Sequence, residues 1–384
     1  MKIPFSRPSI GEEEIAEVVD CLRSGWVTTG PRTAQFEKEF AAAVRAPHAF
    51  AVTSATAGLH VAMLGLELQP GDEVITTPLT WPATLNTIVL AGGTPVLVDI
   101  EAETLNLDPR LVERALTPRT RAIVPVHFAG QPCDMDVLAA LAGAHGLRIV
   151  EDAAHALGAE YRGRPVGSLG DVTVFSFHPI KNITTGEGGM ITTADGGLAQ
   201  RMQLLRFHGV ERDAWKAYGR TQLPLYDVSA PGLKYNLTDI QSAIGIHQLR
   251  KLSALNAERA RLARRYDEAL RGIPALRALG RVPYPHRHAH HLYVVLVQLD
   301  QLRVDRNAFM AAVMEAGIGL GLHFTAAHEL TYYRTRLGDL RAALPAATDA
   351  SQRLFSLPLF PGLSDAEQDR VVEVLADTAR AQRR

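Results

Sequence analysis

Two cysteines in 384 residues, Cys21 and Cys133, lie far apart and without Cys-x-x-Cys spacing. That excludes a disulfide framework and a dithiol redox motif, and leaves two ordinary thiols in a reducing compartment. A dominant charge sign is missing as well. Forty basic residues face 41 acidic ones, for a formal net charge of −1, with no basic stripe or polybasic tail. Nucleic acid is therefore not an expected partner. No apolar run is long enough to span a bilayer, and Met1 to Pro8 holds no apolar core of signal-peptide length, so neither membrane insertion nor export is expected. Internal repeats and low-complexity linkers are absent too. What remains is a cytoplasmic chain too long for one ordinary core, for which two domains are expected.

The pattern that is present alternates strand and helix. Glu12 to Ser24 reads as a helix with Ile15, Val18, Val19 and Leu22 on one stripe and Gly25 closing it, and Phe36 and Phe40 mark a second. Strands are expected at 49–53, 73–77, 95–100, 122–127, 147–152 and 172–177, with helices between them, including 81–90 and 135–145. Such alternation implies a mostly parallel sheet in an α/β layer, whose ligands gather at the carboxyl ends of the strands. Thr238 to Gln241 forms a capping box for a helix through Leu252, and 259–271 reads as a further, charged helix. Beyond Pro283 the character becomes α+β: strands at 291–299 and 319–324, a helix at 305–316, and a last helix capped at Ser364. Large and small domains are accordingly expected at 1–255, with an N-terminal arm over 1–30, and at 256–384.

Candidate chemistry collects at the strand ends. Lys181 follows the apolar strand 172–177 on an irregular turn, near the Ser176 hydroxyl and Gly186, Gly188 and Gly189. A lysine amine there can condense with an aldehyde if burial or a neighbouring cation lowers its pKa. Asp152 ends another strand; it reads either as a helix-capping residue or as the partner of a protonated heteroaromatic nitrogen. Ser54 to Gly58 opens a helix with small residues and hydroxyls, which suits an anion but is also an ordinary cap. Trp81 offers an aromatic face, although a core tryptophan is the commoner fate. A lysine, an anion cradle, a buried carboxylate and an aromatic face are together what pyridoxal 5'-phosphate (PLP) chemistry needs.

With these stretches in order, the chain resembles the DegT/DnrJ/StrS family of sugar-nucleotide aminotransferases. The likeness runs through Gly25 to Pro31, Ser54 to Leu59, Gly71 to Ile75, Glu151 to Ala156, Phe175 to Gly189 and Leu357 to Pro361. It implies a fold type I PLP-dependent transferase, with a large domain around a mostly parallel sheet and a smaller C-terminal α+β domain. By position, Lys181 resembles the Schiff-base lysine and proton shuttle, Asp152 the pyridinium partner and Trp81 the ring-stacking aromatic. Ala55, Thr56 and Ser176 resemble the phosphate cradle, and His155 a side chain close to the ring. Asn236 resembles a residue reaching the phosphate from a neighbouring subunit, which implies a homodimer with shared active sites.

A narrower likeness, in Pro4 to Pro8, Ser24 to Pro31, Leu233 to Asn236, Gly319 to Phe324 and Ala326 to His328, points to members that use glutamate, releasing 2-oxoglutarate, to aminate UDP-4-keto-L-arabinose. By that analogy Thr28, Thr29 and His323 touch the substrate. Thr76 to Thr80 and Ser176 to Pro179 look more like members acting on 4-keto-6-deoxy-N-acetylhexosamines, and a UDP- or dTDP-linked 4-keto-6-deoxyhexose is the alternative substrate.

Other readings are weaker. The histidines of 286–291 lack a cysteine or carboxylate at ligand spacing, so no metal is expected. No Gly-x-Gly-x-x-Gly opens a helix after a first strand, which argues against a dinucleotide-binding dehydrogenase. Dehydratases of the same family carry histidine in place of the lysine, and Lys181 argues against that activity. A non-catalytic, PLP-binding regulator has no DNA-binding motif or extra domain to support it.

Overall fold

The computed structural model describes residues 2–211 and 226–384. Two helices come first, α1 (Glu12–Ser24) and α2 (Pro31–Val44). Gly25 closes α1 in the left-handed conformation that glycine adopts at little cost. The apolar stripe of α1 is not its buried face. Ile15, Val19 and Leu22 are exposed, while Glu14 and Cys21 are buried. Glu14 faces inward because its carboxylate accepts from Lys251 (2.7 Å) and Gln248 (2.8 Å).

The large domain is built on β1 (His48–Val52), α3 (Ala55–Gly65), β2 (Glu73–Thr76), α4 (Pro82–Leu90), β3 (Thr94–Leu97), α5 (Pro109–Ala115), β4 (Thr120–Val124), α6 (Met135–His145) and β5 (Arg148–Asp152). A short hairpin, β6 (Glu160–Tyr161) and β7 (Arg164–Pro165), then leads to β8 (Val172–Ser176), β9 (Gly189–Thr193) and α7 (Gly196–Leu205). Seven strands form one sheet in the order β1-β9-β8-β5-β4-β2-β3. All run parallel except β9, which is antiparallel to both of its neighbours. Along β8, Val172 and Val174 enter the core on one face, and Phe175 and the following Phe177 enter the core that holds Phe36 and Phe40 on the other. Burial on both faces explains the nearly unbroken apolar run of this strand.

A single helix, α8 (Asp239–Ala269, 31 residues), replaces the two helices expected at 238–252 and 259–271. Thr238 and Gln241 form its capping box, and no glycine or proline interrupts the stretch between 246 and 271. Leu249 and Leu255 pack with the Phe36 core, whereas Leu262 and Tyr266 pack with the core of the small domain. The joint expected near residue 255 thus lies inside a helix.

The small domain adds β10 (Leu276–Ala278), β11 (His286–Arg287), β12 (Tyr293–Val297), α9 (Arg306–Glu315), α10 (Thr331–Leu337), α11 (Pro345–Arg353), β13 (Leu354–Leu357) and α12 (Asp365–Ala381). Its antiparallel sheet has the order β10-β12-β13. The stretch 319–324 is not the strand expected there. It makes an isolated bridge at Gly321 to Ser356, next to one joining Ile318 to Ile3, because it is wedged between the N-terminal arm and β13. Among the described residues no helix is long and apolar enough to cross a membrane.

Candidate active site

The parallel strands β1, β2, β5 and β8 deliver Ser54, Trp81, Asp152 and Lys181 to one edge of the sheet. The antiparallel β9 brings its first residue to the same edge. Gly189 pairs with Ser176 on one side and Val52 on the other. Its backbone lies so close to the start of α3 that an added Cβ would sit 2.8 Å from the amide nitrogen of Ala55 and 2.7 Å from the carbonyl carbon of Ser54. Ser54 caps α3 by accepting from the Ala57 amide at 3.0 Å. Ala55 and Thr56 are therefore first-turn residues, whose amides point out of the helix end. A side chain at 189 would push the start of α3 away from β8 and β9, so Gly189 lets these amides lie close to Ser176.

Asp152 is buried at the end of β5. One carboxylate oxygen accepts from Thr84 Oγ1 at 2.7 Å and the other from the Ala154 amide at 3.1 Å. Thr84 in turn lies 2.8 Å from the Thr80 hydroxyl. Among the described residues no cation pairs with Asp152. A carboxylate held only by neutral donors is what a positively charged ligand atom would complete.

Lys181 is partly buried, and burial brings its amine down to about 8, with nearby Asp152 opposing the shift. Its Nζ lies 3.5 Å from His291 Nε2. His291 and His155 are both buried, their rings 4.4 Å apart, and among the described residues the Nδ1 of each has no hydrogen-bond partner. Burial first, and then the Lys181 charge, hold both well below the ordinary histidine range. His155 stacks on Phe324 at 5.7 Å, and Phe324 in turn lies 6.1 Å from Trp81. Trp81 is 64% exposed, so it is not the core residue that its type would suggest. His323 hydrogen-bonds Ser356 at 2.9 Å, and burial followed by Lys181 pushes it down to about 4.

Lys181, Asp152, His155, Trp81 and His323 thus form one group, linked through His291 and Phe324, with Ala55, Thr56 and Ser176 at the same edge of the sheet. Thr28, Thr29 and Asn236 form a second group. Asn236 donates to Thr29, which itself donates to the Leu237 carbonyl, and Lys234 Nζ donates to Asn236 at 2.6 Å. Among the described residues no hydrogen bond ties this group to Lys181. His291 and Thr84 were not singled out from sequence. His291 stood there only in a histidine run, yet it alone turns to Lys181, while His288 and His290 stack on each other at 4.2 Å.

These residues fit PLP. The Asp152 carboxylate, held by neutral donors, matches a charged ring nitrogen, the first-turn amides of α3 beside Ser176 a phosphate, Lys181 an aldehyde, and the exposed Trp81 a ring face. A fold type I architecture with such a site defines a PLP-dependent transferase. The chain belongs to the DegT/DnrJ/EryC1/StrS aminotransferase family, whose model matches residues 8–376.

Solved structures agree. A Streptococcus pneumoniae protein assigned as a sugar aminotransferase, in its PLP form, is 36% identical over 99% of each chain with a TM-score of 0.91. The Helicobacter pylori aminotransferase PseC, involved in the biosynthesis of pseudoaminic acid, is 29% identical over 99% of this chain and 100% of its own, with a TM-score of 0.92. The aminotransferase TlmJ of Streptoalloteichus hindustanus is 32% identical over 99% of each chain, with a TM-score of 0.90. The protein is a PLP-dependent aminotransferase acting on a nucleotide-linked sugar.

Proposed function

We propose that the amino group moves from glutamate to the 4-keto carbon of UDP-4-keto-L-arabinose, with 2-oxoglutarate as the other product. The observation that carries this reading is the meeting of two stretches with the narrower likeness. The Gly319 amide donates to the Ile3 carbonyl at 2.7 Å, and the Phe5 ring lies 5.4 Å from that of His323. The arm and the 319–324 segment together form the wall beside Phe324 and His155.

When bound, PLP supplies an aldehyde that carries the amino group and a ring that accommodates charge at the reacting carbon. Ala55, Thr56 and Ser176 hold its phosphate, Trp81 covers a ring face and His155 lies close to the ring. Asp152 keeps a proton on the ring nitrogen. Lys181 takes a proton from the donor's α-carbon and later delivers one to the sugar's C4, a role that suits an amine whose pKa is about 8. His323, Thr28 and Thr29 contact the substrate.

The assembly in this reading is a homodimer in which Asn236 of one subunit reaches the phosphate site of the other. The separation of Asn236 from Lys181 within one chain supports it. So does the exposed apolar face formed by Ile15, Val19, Leu22, Trp26 and Val27.

The test is to add glutamate to the PLP-loaded enzyme, then UDP-4-keto-L-arabinose, while following the cofactor's visible absorbance. Loss of the band with glutamate and its return with the pentose is the expected outcome. Loss without return rejects the pentose and points to a 4-keto-6-deoxyhexose or a 4-keto-6-deoxy-N-acetylhexosamine, the latter favoured by Thr76 to Thr80 and Ser176 to Pro179. No response to any amino donor rejects the catalytic roles assigned here.

A further inference from the structure

Arg259 is 2% exposed, and among the described residues no carboxylate pairs with its guanidinium. A buried arginine is ordinarily matched by an anion. Here the charge meets only backbone carbonyls. Nη1 donates to Leu359 at 2.8 Å and to His291 at 3.2 Å, and lies 3.5 Å from the His290 carbonyl. Nη2 lies 3.5 Å from the carbonyl of Lys181, and Nε has no partner. Burial brings the guanidinium down to about 10.

Its three groups of contacts come from parts of the chain that are distant in sequence and meet here, where Asn182 also donates to the Ala289 carbonyl at 2.8 Å and Tyr293 pairs with Leu357. Lys181 belongs to the turn after β8, His290 and His291 to the approach to β12, and Leu359 to the segment after β13. Arg259 itself lies on α8 between Leu255, in one core, and Leu262, in the other. No local packing demand calls for a charge at this point, since an apolar residue would fill the space without the desolvation cost. A planar fork does what an apolar residue cannot: it fixes several carbonyls relative to one another.

We propose that Arg259 is a positioning residue that locks the Lys181 and His291 backbones together, so that the Lys181 amine faces His291 in the geometry its chemistry requires. The inference rests on the reading of Lys181 as the reacting amine. In this proposal Arg259 acts through the two main chains that carry Lys181 and His291, to whose carbonyls its guanidinium points. Because the same fork holds Leu359, the seating of the small domain and the aim of Lys181 are coupled.

Cofactor-free full-length Arg259→Lys, which keeps the charge and loses the fork, would be mixed with PLP. Condensation with Lys181, which releases one water, would be followed by stopped-flow absorbance and located by borohydride trapping and peptide mapping. The expected result is attachment slowed roughly 10- to 100-fold, as for a reacting group displaced by about an ångström, with inorganic phosphate still competing at its wild-type concentration. In turnover, kcat falls while KM stays within a few-fold. A folded variant that attaches PLP at the wild-type rate overturns the proposal.

A second measurement needs no variant. In cofactor-free wild type, the amides of 181–185 and 290–292 should resist hydrogen exchange as the sheet does; rapid exchange there also overturns it. If peptide mapping of the wild type places PLP on another lysine, the reading of Lys181 fails instead, which separates the two failures.

Discussion

Glu151 and Asp152 are neighbours on one strand, both buried, and they meet opposite fates. Glu151 is fully satisfied. It hydrogen-bonds His127 Nε2 at 2.8 Å and accepts from the Gly170 amide at 2.7 Å and the Thr173 hydroxyl at 2.6 Å. His127 Nδ1 in turn accepts from the Cys133 amide at 3.0 Å. Asp152, facing the other side of the sheet, has two neutral donors and, among the described residues, no cation within ion-pair distance. A polar group whose every capacity is used belongs to the scaffold. One left short of a charge is waiting for a ligand to supply it. The same contrast sets the paired histidine, His127, against His155 and His291, whose Nδ1 atoms have no partner among the described residues.

Substitutions on the ligand-facing side should cost activity, and those on the scaffold side should cost stability. Lys181→Ala has the largest expected effect, a fall in turnover of about 10⁴-fold or more, with no PLP retained after borohydride treatment. In the cofactor-free wild type, attachment of PLP should speed up as pH rises through about 8, where the Lys181 ammonium loses its proton. The sign follows from the neutral amine being the nucleophile. A profile rising only near the ordinary lysine range would show that burial does not tune this amine.

Asp152→Asn comes next. We expect PLP to remain bound and kcat to fall on the order of 100-fold or more, with the urea midpoint nearly unchanged. Glu151→Ala should do the reverse. Leaving the Gly170, Thr173 and His127 donors unpaired should cost roughly 2–4 kcal/mol in urea unfolding, with kcat per folded molecule within a few-fold of wild type. If Glu151→Ala cuts kcat as deeply as Asp152→Asn without loss of stability, the division between scaffold and ligand side is wrong.

The difference between these neighbours was only half legible in the sequence. Asp152 and Lys181 could be placed because strand ends follow from apolar runs, and because a carboxylate or lysine at such an end has few ordinary uses. His127 and Glu151 carry no such mark, since their pairing depends on which strands become neighbours. For the same reason β9 was not read as a strand. Gly188 and Gly189 looked like loop glycines, and only the close approach of the Ser54, Ala55 and Phe175 backbone to Gly189 shows why a side chain is excluded there. The 31-residue helix was read as two because its apolar stripe serves the large-domain core up to Leu255 and the small-domain core from Leu262, so the periodicity changes partner along its length. His291 turns towards Lys181 through tertiary packing alone, and no local pattern separates it from His288 and His290.

That helix also bears on how the molecule comes apart. An element shared by two cores cannot melt in one and survive in the other without fraying in its middle, where Arg259 is buried with its carbonyls. The two lobes should therefore unfold in one cooperative transition rather than two. Cutting the chain near residue 255 would not release two independent folding units. It would split the core in which Leu79, Ile100 and Phe128 of the first half pack with Leu292, Val294 and Leu354 of the second.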